Sequence, residues 1–374
     1  MAIFFKKTDR FLPTFCILCS MISVVILYVL VDSRIADFND SLYIKQVLAT
    51  SIGIIGMFFI SFLDYRKFSG LWFIYAPIAI FLVALTYTKW GIVVGGDKAW
   101  LSINGLPSFQ PSEFLKLSFI LSFGYHLSVL GKSMNKFKNF LALCIHGAVP
   151  ILMVVAQGDD GTALVFICIF IVMMIAAGLS WKYILAGIIT LPLGGILLWQ
   201  KVMTEYQKNR LTIIFDLYSD PENIGYQQIA SKSAIRHGGF LGKGVFSKNF
   251  QYVAEMNNDF IFSFLAQVFG ILGCIIVSIL LIAIVLRIMK TGILCRTPLG
   301  KNICSGVIAM FIFHSVINIG MNLGILPVIG IPLPFISAGG TSVITMYFAM
   351  GMVMSVYSHQ NRPNTKKSRK QRTR

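Results

Sequence analysis

The chain has 374 residues, 56% of them hydrophobic and only 13% charged, with a mean hydropathy of +0.77. That balance lies far outside the range of soluble domains and excludes an ordinary water-soluble enzyme. The net charge of +17 would suit nucleic acid, but its distribution along the chain argues for a different origin.

A membrane-crossing helix needs about 20 mostly apolar residues. Ten such runs are expected, at roughly 11–31, 44–63, 69–89, 113–130, 138–156, 161–178, 181–199, 260–286, 303–325 and 335–357. The expected fold is an all-α integral membrane protein. Residues 1–357 would form one bundle of about ten transmembrane helices, followed by a basic tail over 358–374. After Lys6, Lys7 and Arg10 the first apolar run is too long for a signal-peptide core and has no small-residue cleavage site, so no cleavable signal is expected.

Lysine and arginine in short loops collect on the cytoplasmic side. With the N-terminus inside, 20 of the 32 basic residues fall inside, but only Asp9 and Asp64 of the 15 acids. The chain is therefore expected to be a multi-pass protein of the cytoplasmic (inner) membrane with both termini cytoplasmic. The tail NTKKSRKQRTR would lie against anionic lipid rather than nucleic acid.

This orientation gathers four features on the extracytoplasmic face: the 89–112 loop, the Gln157–Gly161 hairpin, the 200–259 loop and the Pro-rich turn at 327–334. The 200–259 loop, between spans seven and eight, far exceeds the usual limit of about 12–15 residues, so it is expected to be functional. Part of it would lie on the membrane as short helices.

All seven cysteines fall in spans or in one inside loop, so no disulfide framework is expected. Cys16-x-x-Cys19 reads as two small apolar residues on one helix face. His126, His146, His237, His314 and His359 show no metal-ligand spacing.

Residues 95–117 read GGDKAWLSINGLPSFQPSEFLKL. Pro111-Ser112-Glu113 predicts a helix start with Ser112 as N-cap and Glu113 in the positive first turn. Lys116 follows three residues later. Either it forms a structural ion pair with Glu113, or it is a cation held at the outer surface to meet a phosphate; both readings stand. Gln157-Gly158-Asp159-Asp160-Gly161-Thr162 reads either as a solvated turn or as an oxygen-rich corner for a hard divalent cation.

Gly238-Gly-Phe-Leu-Gly242-Lys243-Gly244 has the look of a phosphate loop. It is one residue short, lacks the final Ser/Thr and follows no strand. A nucleoside-triphosphate site is rejected, while Lys243 and its glycines stay candidates for another phosphate. The run GILPVIGIPLPFISAGGTS (324–342) breaks a helix at span depth, which is tolerated only under cover of protein or a water-filled cavity; it is expected to line a cavity.

The stretch that organises the rest is Tyr252–Phe262, YVAEMNNDFIF. Glu255 and Asp259 sit four residues apart, just before an apolar run with no charge until Arg287. An acid at the lip of a span is costly unless something uses it.

Taken together these stretches resemble the SEDS family of polytopic peptidoglycan glycosyltransferases (shape, elongation, division and sporulation), which includes RodA and FtsW. The resemblance covers nearly the whole chain in order. FQPSEFLKL matches the family's QPSE-x-x-K element, QGDDGTAL its QPDLGTAL turn, DPENIGYQQIASKSAIRHGGFLGKG its large-loop block and EMNNDFIF its E-x-H-T-D-F-I-F block. The last stretch, NIGMNLGILPVIGIPLPFISAGGTS, is closer to RodA than to FtsW.

The resemblance implies polymerisation of lipid II, an undecaprenyl-diphosphate-linked disaccharide peptide, at the outer face of the membrane, in cell-wall elongation or division. It implies Asp259 as catalytic, with Glu255 as its helper or a metal ligand. Lys116, Glu113, Trp100, Gln110, Ser112 and Lys243 would bind substrate. A divalent cation, Mg2+ or Mn2+, would sit at Asp159 and Asp160, and a class B penicillin-binding protein would be the transpeptidase partner.

The chain departs from the family pattern at Ala99, where G-x-x-R-W has Arg, at Gly158-Asp159-Asp160, at Asn257-Asn258, and at Gln267 in place of an acidic pair. Two rivals remain. The broken run would also serve a lipid II flippase, and the departures would suit a non-catalytic scaffold for a penicillin-binding protein.

Overall fold

The computed structural model describes residues 9–36, 38–39, 41–102, 108–201, 203–220 and 225–359; the basic tail from 360 onward lies outside them. The chain is nearly all-helical. Eight helices are long and apolar enough to cross a membrane: α1 (Phe11–Asp32), α2 (Leu42–Phe62), α5 (Pro111–Leu130), α6 (Phe137–Ala156), α8 (Trp181–Lys201), α11 (Ile261–Leu294), α12 (Pro298–Asn322) and α13 (Gly340–His359). Two shorter apolar helices, α4 (Trp72–Leu85) and α7 (Asp160–Ala176), stand at the third and sixth predicted runs. The short helices are α3 (Tyr65–Ser69), α9 (Glu205–Thr212) and α10 (Tyr226–Gly238).

One element was not foreseen. The 89–112 loop holds an antiparallel ribbon, β1 (Gly91–Val94) and β2 (Asp97–Leu101), with Ile92 opposite Trp100. Gly95 and Gly96, both at positive φ, make its turn, as a tight hairpin requires.

Helix starts follow local chemistry. Thr297 caps α12 by accepting from the Gly300 amide at 3.1 Å, with Pro298 in the first turn, where its missing N–H is harmless. Asp159 caps α7 through the Thr162 amide at 2.8 Å. The expectation for α5 is corrected. Pro111 takes the first helical position, so the cap position falls to Gln110, whose side chain makes no capping bond. Ser112 is drawn into the first turn, where its Oγ is buried without a partner.

The two acids assigned to the inside each hold an arginine. Asp9 takes Arg287 in a two-pronged pair at 2.9 and 2.5 Å and also caps the Phe11 amide. Asp64 takes Arg66 with both oxygens at 3.0 Å. All seven cysteines are free, and Cys16 and Cys19 are buried in α1.

The broken run between α12 and α13 turns much of its apolar surface into the protein. Ile331, Leu333, Phe335 and Ile336 are buried in the core, and side chains of neighbouring helices take up the loose backbone groups. Asn318 donates to the Ile331 carbonyl at 2.8 Å, and His314 contacts the Pro332 carbonyl at 3.2 Å. Ser23 donates to the Ile336 carbonyl at 2.5 Å, and Gln46 to the Ser337 carbonyl at 3.1 Å. Protein, not water, provides the cover that non-helical backbone needs at this depth.

The phosphate-loop look-alike has a structural explanation. Helix α11 breaks at Gly270 (φ 68°), and the 238–244 loop fills the break. Lys243 and Gly244 amides donate to the Gln267 and Val268 carbonyls at 2.8 and 3.0 Å. Ile271 and Leu272 amides donate back to Gly239 and Phe240 at 3.0 and 3.2 Å. The backbones approach so closely that a Cβ on Gly270 would lie 2.2 Å from the Phe240 carbonyl oxygen. Gly270→Ala is expected to lower the thermal midpoint of the detergent-solubilised protein strongly, since it combines that overlap with a strained positive φ. Gly187→Ala, where a Cβ meets nothing within 4 Å, is expected to leave the midpoint in place.

Candidate active site

Asp259 ends an irregular segment that leads straight into α11. Its peptide carbonyl accepts from both Asn318 and Asn322 of α12, each at 2.9 Å. Asn322 also accepts from the Ser263 amide at 3.0 Å, which ties the first turn of α11 to the same side chain. The carboxylate side is different. Oδ1 is shut off from water and has no hydrogen-bond partner among the described residues, and Oδ2 faces Gly330 (φ 72°).

Glu255 is exposed and holds φ 55°, rare for a residue with a side chain. Its carbonyl accepts the Asn258 and Phe260 amides at 3.0 Å, closing the turn that presents Asp259. Burial first, and then the Glu255 charge, raise the Asp259 pKa from 3.8 to about 7, with Arg210 opposing.

The substituted pair Asn257-Asn258 is held through its backbone. The Ala338 amide donates to the Asn257 carbonyl at 2.9 Å and Ser337 Oγ to the Asn258 carbonyl at 2.7 Å. Gln267 also has a definite role: it brackets Gln251, accepting its amide at 2.6 Å and donating to its carbonyl at 2.9 Å.

Lys116 lies 1% exposed inside the bundle. Its ammonium pairs with Glu113 Oε1 at 2.8 Å and contacts His314 Nε2 at 3.2 Å. Thr345 of α13 donates to the other Glu113 oxygen at 3.0 Å. Because His314 reaches the Pro332 carbonyl through Nδ1, its Nε2 is the nitrogen left to accept from Lys116. Of the two readings of Lys116, the ion pair is therefore the one present. The broken run joins this cluster to Asp259, since Asn318 bonds Asp259 and Ile331 while His314 bonds Pro332.

The remaining candidates gather at the hairpin. Gln110 donates to Asp159 Oδ2 at 2.7 Å, while Asp159 Oδ1 is spent on the α7 cap. Asp160 accepts from Gln207 of α9 at 2.6 Å. Asp97 leans over Gly158; burial and the charges of Asp159 and Asp160 push its pKa up to about 6, with Arg210 opposing. Both Asp159 oxygens are committed, and among the described residues no group of three His, Cys, Asp or Glu converges as a cation site. Trp100 is half-buried in β2 beside the buried Ala99. The Lys243 side chain is exposed, and its backbone serves the α11 break.

Asn318, Asn322, His314, Asp97 and Arg210 were not among the expected site residues. The signal for three of them was present: carboxamides four residues apart and an imidazole inside an apolar span are costly unless bonded.

Nearly all-helical, with a half-buried carboxyl and a buried ion pair joined by broken backbone, the chain is a polytopic membrane protein of enzyme type. The FtsW/RodA/SpoVE family model, described as cell cycle protein, matches residues 9–362, and the chain belongs to that family. It is 30% identical over 321 residues to the peptidoglycan glycosyltransferase MrdB of Escherichia coli K12, covering 84% of this chain and 85% of that one. It is 32% identical over 366 residues to the stage V sporulation protein E of Bacillus subtilis, covering 94% and 98%. Among solved structures, a chain described under the structural coordination of polymerization and crosslinking by a peptidoglycan synthase complex superposes with a TM-score of 0.82 at 25% identity, covering 95% and 99%. The rod shape determining protein RodA of Thermus thermophilus shares the fold, with a TM-score of 0.71 at 23% identity over 95% and 98%.

Removing one partner of a buried pair strands the other charge, at a cost of about 3–5 kcal/mol. Lys116→Met is expected to destabilise the folded protein by that order, and the double variant Glu113→Gln/Lys116→Met to recover most of it, as read by thermal unfolding in detergent. For Asp259 the sign follows from linkage. A carboxyl whose pKa is raised by folding loses stability as pH rises, from near 3.8 until about 7. Asp259→Asn, which cannot ionise, is expected to match the wild type at pH 5 more closely than at pH 8, where it should be the more stable of the two.

Proposed function

We propose that this chain is a peptidoglycan glycosyltransferase that polymerises lipid II into glycan strands at the outer face of the cytoplasmic membrane, in cell-wall elongation and rod-shape maintenance. The observation that carries the reading is Asp259, in a chain of the FtsW/RodA/SpoVE family. Its peptide is pinned from α12 while one carboxyl oxygen is left without a partner.

The reaction joins a sugar 4-hydroxyl to an anomeric carbon that carries a lipid diphosphate. The new C–O bond forms at the anomeric carbon, the bond to diphosphate breaks with its electron pair, and the hydroxyl proton must be taken up. Asp259 is suited to receive that proton: a pKa of about 7 lies near the working pH, where a general base is most effective. Asn318 and Asn322 hold the Asp259 peptide in place. Arg210, whose charge is felt at both Asp259 and Asp97, is the cation we assign to the departing diphosphate.

Lys116 would act from behind, fixing Glu113 and His314 under the broken run. A divalent cation would add charge neutralisation at the diphosphate, and no step here depends on one. The distribution of Lys and Arg supports both termini in the cytoplasm. Likeness to a chain of a peptidoglycan synthase complex supports a class B penicillin-binding protein as partner.

The purified chain, given lipid II in detergent with no second compartment, is expected to make glycan strands visible on gels, and Asp259→Asn to reduce them at least about 100-fold, as loss of a general base does. A flippase or a scaffold makes no strands, and undiminished polymerisation by folded Asp259→Asn would remove the base from the mechanism.

A further inference from the structure

Helix α11 runs over 34 residues in two segments that meet at the Gly270 break, whereas a hydrocarbon core of about 30 Å takes only about 20 helical residues. Two observations locate the boundary. From Ile261 to Val268 every residue is buried within the protein, and outward exposure begins at Ile271 (45%) and Leu272 (42%). Counting back about 20 residues, one hydrocarbon thickness, from the Arg287–Asp9 pair at the other end arrives at about residue 267. The two agree, and both fall level with the break at Gly270, where the 238–244 loop is hydrogen-bonded.

The tip of that loop turns large apolar side chains outward: Phe240 is 64% exposed, Leu241 72% and Phe246 93%. Leu272, one of the first two outward positions of α11, donates its amide to the Phe240 carbonyl, so the exposed tip continues the lipid-facing surface of the helix. Lys243 lies between these side chains, and Lys248 bonds Asp32, where α1 ends. Apolar rings and lysines at one level are the composition of a bilayer interface.

We propose that the 239–248 loop is a membrane-interface anchor for the leaflet on the Asp259 side. Phe240, Leu241 and Phe246 enter the headgroup–acyl boundary, and Lys243 meets lipid phosphate. The anchor sets the depth of the broken α11, and through the Gln267–Gln251 bracket it sets the depth of the segment that carries Glu255 and Asp259. This assignment is independent of the reaction catalysed.

The test is a nitroxide at Phe246→Cys, and separately at Leu241→Cys, in the full chain reconstituted into phosphatidylethanolamine–phosphatidylglycerol vesicles. The labelled unsubstituted chain supplies the baseline, and Glu205→Cys, at a side chain 81% exposed on α9, the aqueous reference. Collision with lipid-soluble oxygen relative to a water-soluble nickel chelate is expected to be at least about threefold higher at 246 and 241 than at 205, as for side chains sunk some 5–10 Å into the interface. A ratio equal to that at 205 overturns the anchor. Shielding from both reagents with dipolar broadening would show a second copy on this face, and overturns it equally.

Discussion

Within a bilayer, a peptide group that leaves a helix must find its hydrogen bonds in the protein. The structure is arranged around one such debt, the non-helical backbone between α12 and α13. Asn318 and His314 from α12, Ser23 from α1 and Gln46 from α2 each give a side chain to it. One of them, Asn318, also reaches across to the Asp259 peptide carbonyl, where Asn322 joins it. Asn318 thus serves both the broken backbone and the Asp259 peptide, and through it fold and site share hydrogen bonds.

Electrostatics completes the arrangement. A charge inside apolar surroundings is tolerated when paired and hydrogen-bonded, and Lys116, Glu113, His314 and Thr345 satisfy one another. Asp259 is the contrasting case: its peptide carbonyl accepts two bonds while its Oδ1 has none among the described residues. That asymmetry, between a rigidly held backbone and an unsatisfied carboxyl oxygen, is what a proton acceptor at a membrane boundary requires. The departures from the family pattern fit this logic. Asn257 and Asn258 are held by their carbonyls, so the framework does not depend on those two side chains, whereas Gln267 uses its own carboxamide to bracket Gln251.

Much was legible in the sequence because membrane helices obey a simple rule of length and polarity. All ten apolar runs are helices, and the acids Asp9 and Asp64, isolated among inside cations, proved to be paired. The importance of YVAEMNNDFIF was legible too, since an acid beside a span is costly. Where local rules competed, they misled. Ser112 looked like a cap until the proline before it took the first helical position. The glycines of 238–244 looked like a phosphate cradle, because a loop that fits against a broken helix needs the same freedom from Cβ atoms.

The sequence by itself determined the class of protein and the helices and singled out Asp259 as the candidate carboxyl, because these depend on residues near one another in the chain. Only the tertiary structure decided what surrounds that carboxyl. Asn318 and Asn322 lie some 60 residues from Asp259, and His314 lies 198 residues from Lys116. Polar partners at such separations leave no periodic trace. The donors brought to the Asp259 peptide from α12, with none at its Oδ1 among the described residues, are an outcome of packing that no local pattern encodes.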